Sequence, residues 1–126
     1  MHFSSKAIIF KNSKYLIQLR DNKRSILFPN HWAFFGGRFK KNETPERCLL
    51  REIREELLID IVITMKIFEC YNNKTSGYLN YFYAQSINEI KRSNLQEGKD
   101  LGWFTKKQMK KLKLADDIKI VFDYLN

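Results

Sequence analysis

Glycine and proline are scarce in this chain, at five and two of 126 residues, which excludes a collagen-like or low-complexity polymer. With 44% hydrophobic residues, a disordered chain is excluded as well. Cysteine is nearly absent. Cys48 and Cys70 are too few for a disulfide framework and have no metal-ligand spacing, so two reduced thiols in a cytoplasmic protein are expected. Long apolar runs are missing too. The longest are four-residue pieces such as Ala7–Phe10, far below the ~18 residues that a membrane-spanning helix needs. The start, Met1-His2-Phe3-Ser4-Ser5-Lys6, has no basic stretch followed by a long apolar one, so neither a secretory leader nor membrane association is expected. Acidic residues are the minority charge, 14 against 23 Lys and Arg, for a net charge of +9. Such an excess suits polyanionic partners, nucleotides and RNA among them.

What is present is a series of short mixed elements in a length that suits one domain, residues 1–126. Phe3–Phe10 reads as a strand, Lys11–Lys14 as a polar turn and Tyr15–Leu19 as a second strand, which together predict a hairpin. A polar loop, Arg20–Asn30, precedes a short aromatic strand, Trp32–Phe35, that ends at Gly36-Gly37. Thr44-Pro45 announces a helix, with Thr as the cap and Pro as the first helical residue. Leu50, Ile53 and Leu57, with Leu49 beside Ile53, predict its apolar stripe. Ile59–Glu69, Tyr78–Ala84 and Leu101–Phe104 read as strands, with a turn over Tyr71–Gly77. Thr105 would cap a short helix through Lys113, and Asp116 a last one with Ile118, Val121, Phe122 and Leu125 along one side. The mixture predicts an α/β sandwich.

The chemistry concentrates on the central helix. Glu52, Glu55 and Glu56 stand at spacings that place three carboxylates on one ridge. Like charges there repel. Arg51 and Arg54 offset part of the repulsion, and a hard divalent cation would offset more, because carboxylate oxygens are what Mg²⁺ and Mn²⁺ prefer. The helix alone leaves both a solvated acidic face and a metal ridge open.

The wider spacing narrows this. Gly37, five residues, Glu43, seven residues, then Arg51-Glu52-Ile53-Arg54-Glu55-Glu56-Leu57-Leu58-Ile59 resembles the box of the Nudix hydrolase family. Eight of nine fixed positions agree over 23 residues; the departure is Leu58, where the family has Gly. The resemblance implies an α/β/α sandwich with a mixed sheet. It implies Mg²⁺ or Mn²⁺ held by Glu52, Glu55, Glu56 and the carbonyl of Gly36, with Arg51 orienting the carboxylates and Glu43 supporting the loop. Glu97-Gly98, followed by Trp103, is similar to the loop that brings a further Glu to the metal or supplies the base in MutT-like members, so Glu52 and Glu97 are both base candidates. Arg20 is placed where similar enzymes set an Arg against phosphates, with Arg24 as competitor. Leu58 would have to take a left-handed conformation that costs a Leu roughly 1–2 kcal/mol, or the helix must exit differently.

The resemblance also implies hydrolysis of a nucleoside diphosphate linked to a group X. For substrate contacts, Gly37 belongs to the box itself, aromatics such as Phe28, Phe34 and Tyr81 are candidates either to stack on a base or to pack in the core, and Asp116 and Asp117 are candidates to read a base edge unless Asp116 serves as the helix cap. The Pro expected past the box in ADP-ribose hydrolases is missing, with Asn73-Lys74 in that region, and the markers of NADH and coenzyme A members are absent. A compact MutT-like chain favours nucleoside triphosphates, with nucleotide sugars next. Lys106, Lys107, Lys110, Lys111 and Lys113 form a basic run that is either a solvated face or an RNA contact. Monomer and homodimer are both compatible with the sequence.

Overall fold

The computed structural model describes residues 2–126, the side chain of Phe68 excepted. The first strand, β1 (His2–Lys11), is the spine of the sheet. It turns through Asn12 and Ser13, both at positive φ (52° and 63°), into β2 (Lys14–Leu19). This two-residue turn matches the right-handed twist of paired strands, and it closes the expected hairpin with Phe10 opposite Tyr15. The aromatic stretch after the long loop divides into β3 (Trp32–Ala33), paired with β2, and β4 (Phe35–Arg38), paired with β1. Phe34 sits at the break, because its N–H leaves the ladder to donate to Asp117 Oδ2 at 2.9 Å.

The helix α1 (Pro45–Leu57) follows, capped as expected by Thr44, whose hydroxyl accepts from the N–H of Arg47 at 3.2 Å. Strands β5 (Ile61–Asn72) and β6 (Gly77–Ser86) form a second antiparallel hairpin, and β6 runs parallel to β1. Strand β7 (Asp100–Phe104) returns along β2. Two short helices close the chain, α2 (Lys106–Met109) and α3 (Asp116–Val121).

The result is three layers around a mixed sheet, as expected. One face carries Ala7, Ile9, Leu16, Phe35 and Phe82 against Leu49, Ile53 and Leu57 of α1. The other carries Ile8, Ile17, Phe34 and Tyr81 against Met109, Ile118 and Val121. Three expectations need correction. Leu50 is 41% exposed, and Cys48 takes the buried position beside Leu49 instead. The helix expected through Lys113 stops at Met109. Asp116 is the first residue of α3 and not its cap, which is Ala115. Among the described residues no helix is long and apolar enough to cross a membrane.

Candidate active site

Arg51 organises the acidic helix. Its guanidinium grips Glu43 with two hydrogen bonds, Nε to Oε2 at 2.6 Å and Nη2 to Oε1 at 2.8 Å. Nη2 also donates to the carbonyl of Arg38 at 2.9 Å, and Nη1 to Glu52 Oε1 at 2.9 Å and Glu55 Oε2 at 3.2 Å. One cation thus ties the loop after β4 to the ridge of α1. The hydrogen bonds from Arg51 and the Lys40 N–H hold the Glu43 carboxyl down at about 2. Cys48 lies beneath this loop with its thiol on the carbonyl of Gly37 at 3.3 Å; burial pushes that thiol up to about 11, which leaves it an inert core group.

Glu52 and Glu56 converge on Gly36-Gly37, which the β4 pairing to Lys6 and Ser5 fixes in place. Glu56 Oε1 accepts from the Gly36 N–H at 2.9 Å, and Oε2 from Gln18 Nε2 at 3.3 Å. Burial, with the neighbouring charge of Glu52, pushes the Glu56 carboxyl up to about 8 in spite of Lys6. Gly37 makes room for Glu52: a Cβ there would lie 2.4–2.7 Å from the Glu52 carboxylate. Glu55 is half exposed, within 3.9 Å of Lys40. Glu97 is exposed on a loop whose preceding residue, Gln96, donates its N–H to the carbonyl of Glu56 at 2.9 Å.

A cavity of about 430 Å³ opens at the Gly36-Gly37 segment, and the ridge carboxylates themselves are not in its lining. Gly36, Gly37, Arg20, Asp116 and Asp117, five of the residues singled out from sequence, line it together with Lys6. Phe34 and Tyr81 do not reach it. Both rings are fully buried in the second core, edge to face at 6.3 Å, and the Tyr81 hydroxyl is spent on the carbonyl of Asp117 at 2.5 Å. Phe28 is the aromatic that does line the cavity. Lys6 and Gln18 are site residues that the sequence did not single out. Lys6 Nζ lies 3.7 Å from Asp117 Oδ2, joining opposite ends of the chain. The available signal was polarity at buried strand positions: Gln18 is 6% exposed in the middle of an apolar strand.

A family model for the NUDIX domain matches residues 2–125. The chain belongs to the Nudix hydrolase family. It is 30% identical over 129 residues to a nucleoside triphosphatase, NudI, of Enterobacter sp. (strain 638), a match covering 91% of this chain and 89% of that one. It is 38% identical over 61 residues to an 8-oxo-dGTP diphosphatase of Proteus vulgaris; that match takes in 48% of this chain and only 53% of the relative. Among solved structures, the solution structure of a DNA mismatch repair protein MutT from methicillin-resistant Staphylococcus aureus 252 has TM-score 0.73 at 25% identity, covering 98% of this chain and 94% of that one. A MutT NUDIX hydrolase from Burkholderia pseudomallei has the same fold, with TM-score 0.73 at 18% identity, covering 99% and 98%.

The Nudix ridge has the donor chemistry for a hard divalent cation. Three carboxylates and the Gly36 carbonyl are oxygen donors only, and the missing side chain at Gly37 leaves the space that the Glu52 carboxylate occupies. Among the described residues the carboxylates are not gathered into a closed ligand set; the Arg51 guanidinium lies between Glu52 and Glu55.

Proposed function

We propose that this Nudix domain hydrolyses nucleoside triphosphates to the monophosphate and pyrophosphate. The observation that carries the reading is the composition of the cavity. One wall is the Gly36-Gly37 segment on which Glu52 and Glu56 converge, the cations Lys6 and Arg20 line it, and it also holds the carboxylates Asp116 and Asp117. Phosphates and a base edge therefore both have partners within about 430 Å³, a volume in the range that fits a small ligand.

Each residue then has a task. Glu52, Glu55, Glu56 and the Gly36 carbonyl would hold Mg²⁺ or Mn²⁺. Once bound, that ion supplies charge neutralisation of the phosphates and a lowered pKa for water. Arg51 orients Glu52 and Glu55 through the bonds described above, and Glu43 fixes Arg51. Lys6 and Arg20 attract and place the phosphate chain, the positioning part of phosphoryl chemistry. Asp116 offers a carboxylate to exocyclic donors of the base. A general base must remove a proton from the attacking water, and Glu52 and Glu97 are the two candidates.

Nucleotide sugars are the runner-up substrates, since they share the diphosphate. RNA is disfavoured as the main substrate, because none of the Lys106–Lys113 lysines lines the cavity. The test is a panel of nucleoside triphosphates, nucleotide sugars and 5′-triphosphorylated RNA with Mg²⁺ or Mn²⁺, read by product identity. Pyrophosphate and a nucleoside monophosphate from the triphosphates are expected. Preferential release of a sugar phosphate, or of pyrophosphate from RNA alone, would reassign the site.

A further inference from the structure

The long loop after β2 is closed at its neck. The Arg20 N–H donates to the carbonyl of His31 at 2.9 Å, and the Asn30 N–H to the carbonyl of Asp21 at 3.0 Å. A loop of this size whose ends are bonded together behaves as one compact unit. Its body, Ser25–Phe28, lines the substrate cavity, and Arg20 at its base donates Nε to the carbonyl of Leu27 at 2.8 Å.

The same neck holds the segment that carries Glu97. Asp21 Oδ2 accepts from the Gly98 N–H at 3.3 Å. Asn30 Oδ1 accepts from Lys99 Nζ at 2.8 Å, and the Leu19 carbonyl from the Lys99 N–H at 2.9 Å. Gly98, at φ +91°, sits so close to β2 that a Cβ would fall 3.0 Å from the Leu19 carbonyl and 3.2 Å from Gln18 Oε1. On its other side the segment is pinned to α1 by the Gln96 N–H on the Glu56 carbonyl, at 2.9 Å. Asp21 is the residue that closes the neck with its backbone and grips the Glu97 segment with its side chain.

We propose that Asp21 is a positioning residue that couples occupation of the substrate cavity to the placement of Glu97. A nucleotide seated against Ser25–Phe28 and Arg20 moves or stiffens the neck, and Asp21 transmits this to Gly98 and hence to its neighbour. The coupling follows from bonded neighbours and needs no distant route. It rests on the reading of the cavity as the nucleotide site and of Glu97 as part of the active site.

The test compares wild type, Asp21→Ala, Asp21→Asn, Glu97→Gln and the Asp21→Ala/Glu97→Gln double variant. Asp21→Ala is expected to lower kcat about tenfold, the scale of one hydrogen bond to a charged group, with little change in KM. Asp21→Asn keeps an acceptor oxygen and should recover most of the loss. In the Glu97→Gln background Asp21→Ala should cost nothing further, because the group it places is gone. A second readout is independent of turnover: amide exchange at Gly98 and Lys99, measured with and without a deoxyguanosine triphosphate whose anhydride oxygens are replaced by methylenes. Protection should rise on binding in wild type and Asp21→Asn and stay flat in Asp21→Ala. Additive kinetic losses, or protection that rises equally in Asp21→Ala, would overturn the coupling. Full activity in Glu97→Gln would instead remove Glu97 from the chemistry and leave the exchange experiment to decide the coupling.

Discussion

Arg51 and Glu43 form a two-pronged ion pair, at 2.6 and 2.8 Å, that fastens the loop before α1 to the middle of that helix. The Glu43 carboxyl is held at about 2 against an ordinary 4.5, its largest cause being the hydrogen bonds from Arg51. A group whose folded pKa is depressed contributes stability that is present above its unfolded value and lost as pH falls through the folded one. Denaturant titrations of wild type and Glu43→Gln should therefore differ by a constant amount above pH 4.5, and the gap should narrow toward pH 2. A gap that stays unchanged down to pH 2 would show that the ion pair does not stabilise the fold.

Leu58 ends α1 in the left-handed region, at φ 56° and ψ 33°, with its N–H on the carbonyl of Arg54. Of the two exits expected for a Leu in place of Gly, the strained cap is the one adopted. The side chain is 62% exposed, so little burial offsets the strain. Leu58→Gly relieves a penalty of roughly 1–2 kcal/mol and gives back part of it to the greater freedom of unfolded Gly, for a net gain of about 0.5–1 kcal/mol. That should raise Tm by about 2–6 °C in a thermal melt. A lower Tm would mean that the exposed Leu makes a contact worth more than its strain.

The parts of this fold that depend on neighbouring residues were legible in the sequence. Thr44-Pro45 starts α1, Asn12-Ser13 turns the first hairpin, and the spacing from Gly37 to Ile59 marks the ridge. The misreadings come from competition between distant parts of the chain. On a helix the stripe through Leu50 and the stripe through Cys48 are both apolar; packing against Ala7 and Phe35 selects the second. Nothing local says that Phe34 leaves its strand, because the group that draws its N–H away is Asp117, 83 residues later. Phe34 and Tyr81 read as stacking rings because aromaticity is visible and burial is not. The Lys6–Asp117 contact was invisible for the same reason, with its partners at the two ends of the chain.

Gly37 gives a direct test of the ridge. A methyl group at this position would stand 2.4–2.7 Å from the Glu52 carboxylate, so Gly37→Ala must push that carboxylate aside. A displacement near 1 Å at a reacting centre costs about 10²-fold in rate, and this is the drop in kcat expected for Gly37→Ala. The circular dichroism spectrum should be unchanged, and the variant should need more Mg²⁺ or Mn²⁺ for half-maximal rate. Wild-type kcat would show that Glu52 does its work from another position.

Asp117 should show the opposite pH behaviour to Glu43. Burial raises its carboxyl above the ordinary 3.8, although Lys6 at 3.7 Å and the N–H groups of Phe34 and Ile118 all favour the charged form. Desolvation wins because only 7% of the residue is exposed, so little water is at hand to stabilise its charge. With the folded pKa above the unfolded one, the native state binds the extra proton between the two values. Stability from this group is then full below 3.8 and falls as pH rises through the folded value. Against Asp117→Asn, which cannot titrate, wild type should lose relative stability as pH increases over that window. Lys6→Met removes the main group that favours the charge, so the loss should begin at the same pH but extend to a higher one. Denaturant titration across the acidic range reads both effects. A wild-type curve that gains on Asp117→Asn with rising pH would mean that Lys6 and the two N–H groups outweigh burial, and that Asp117 faces the nucleotide as a full anion.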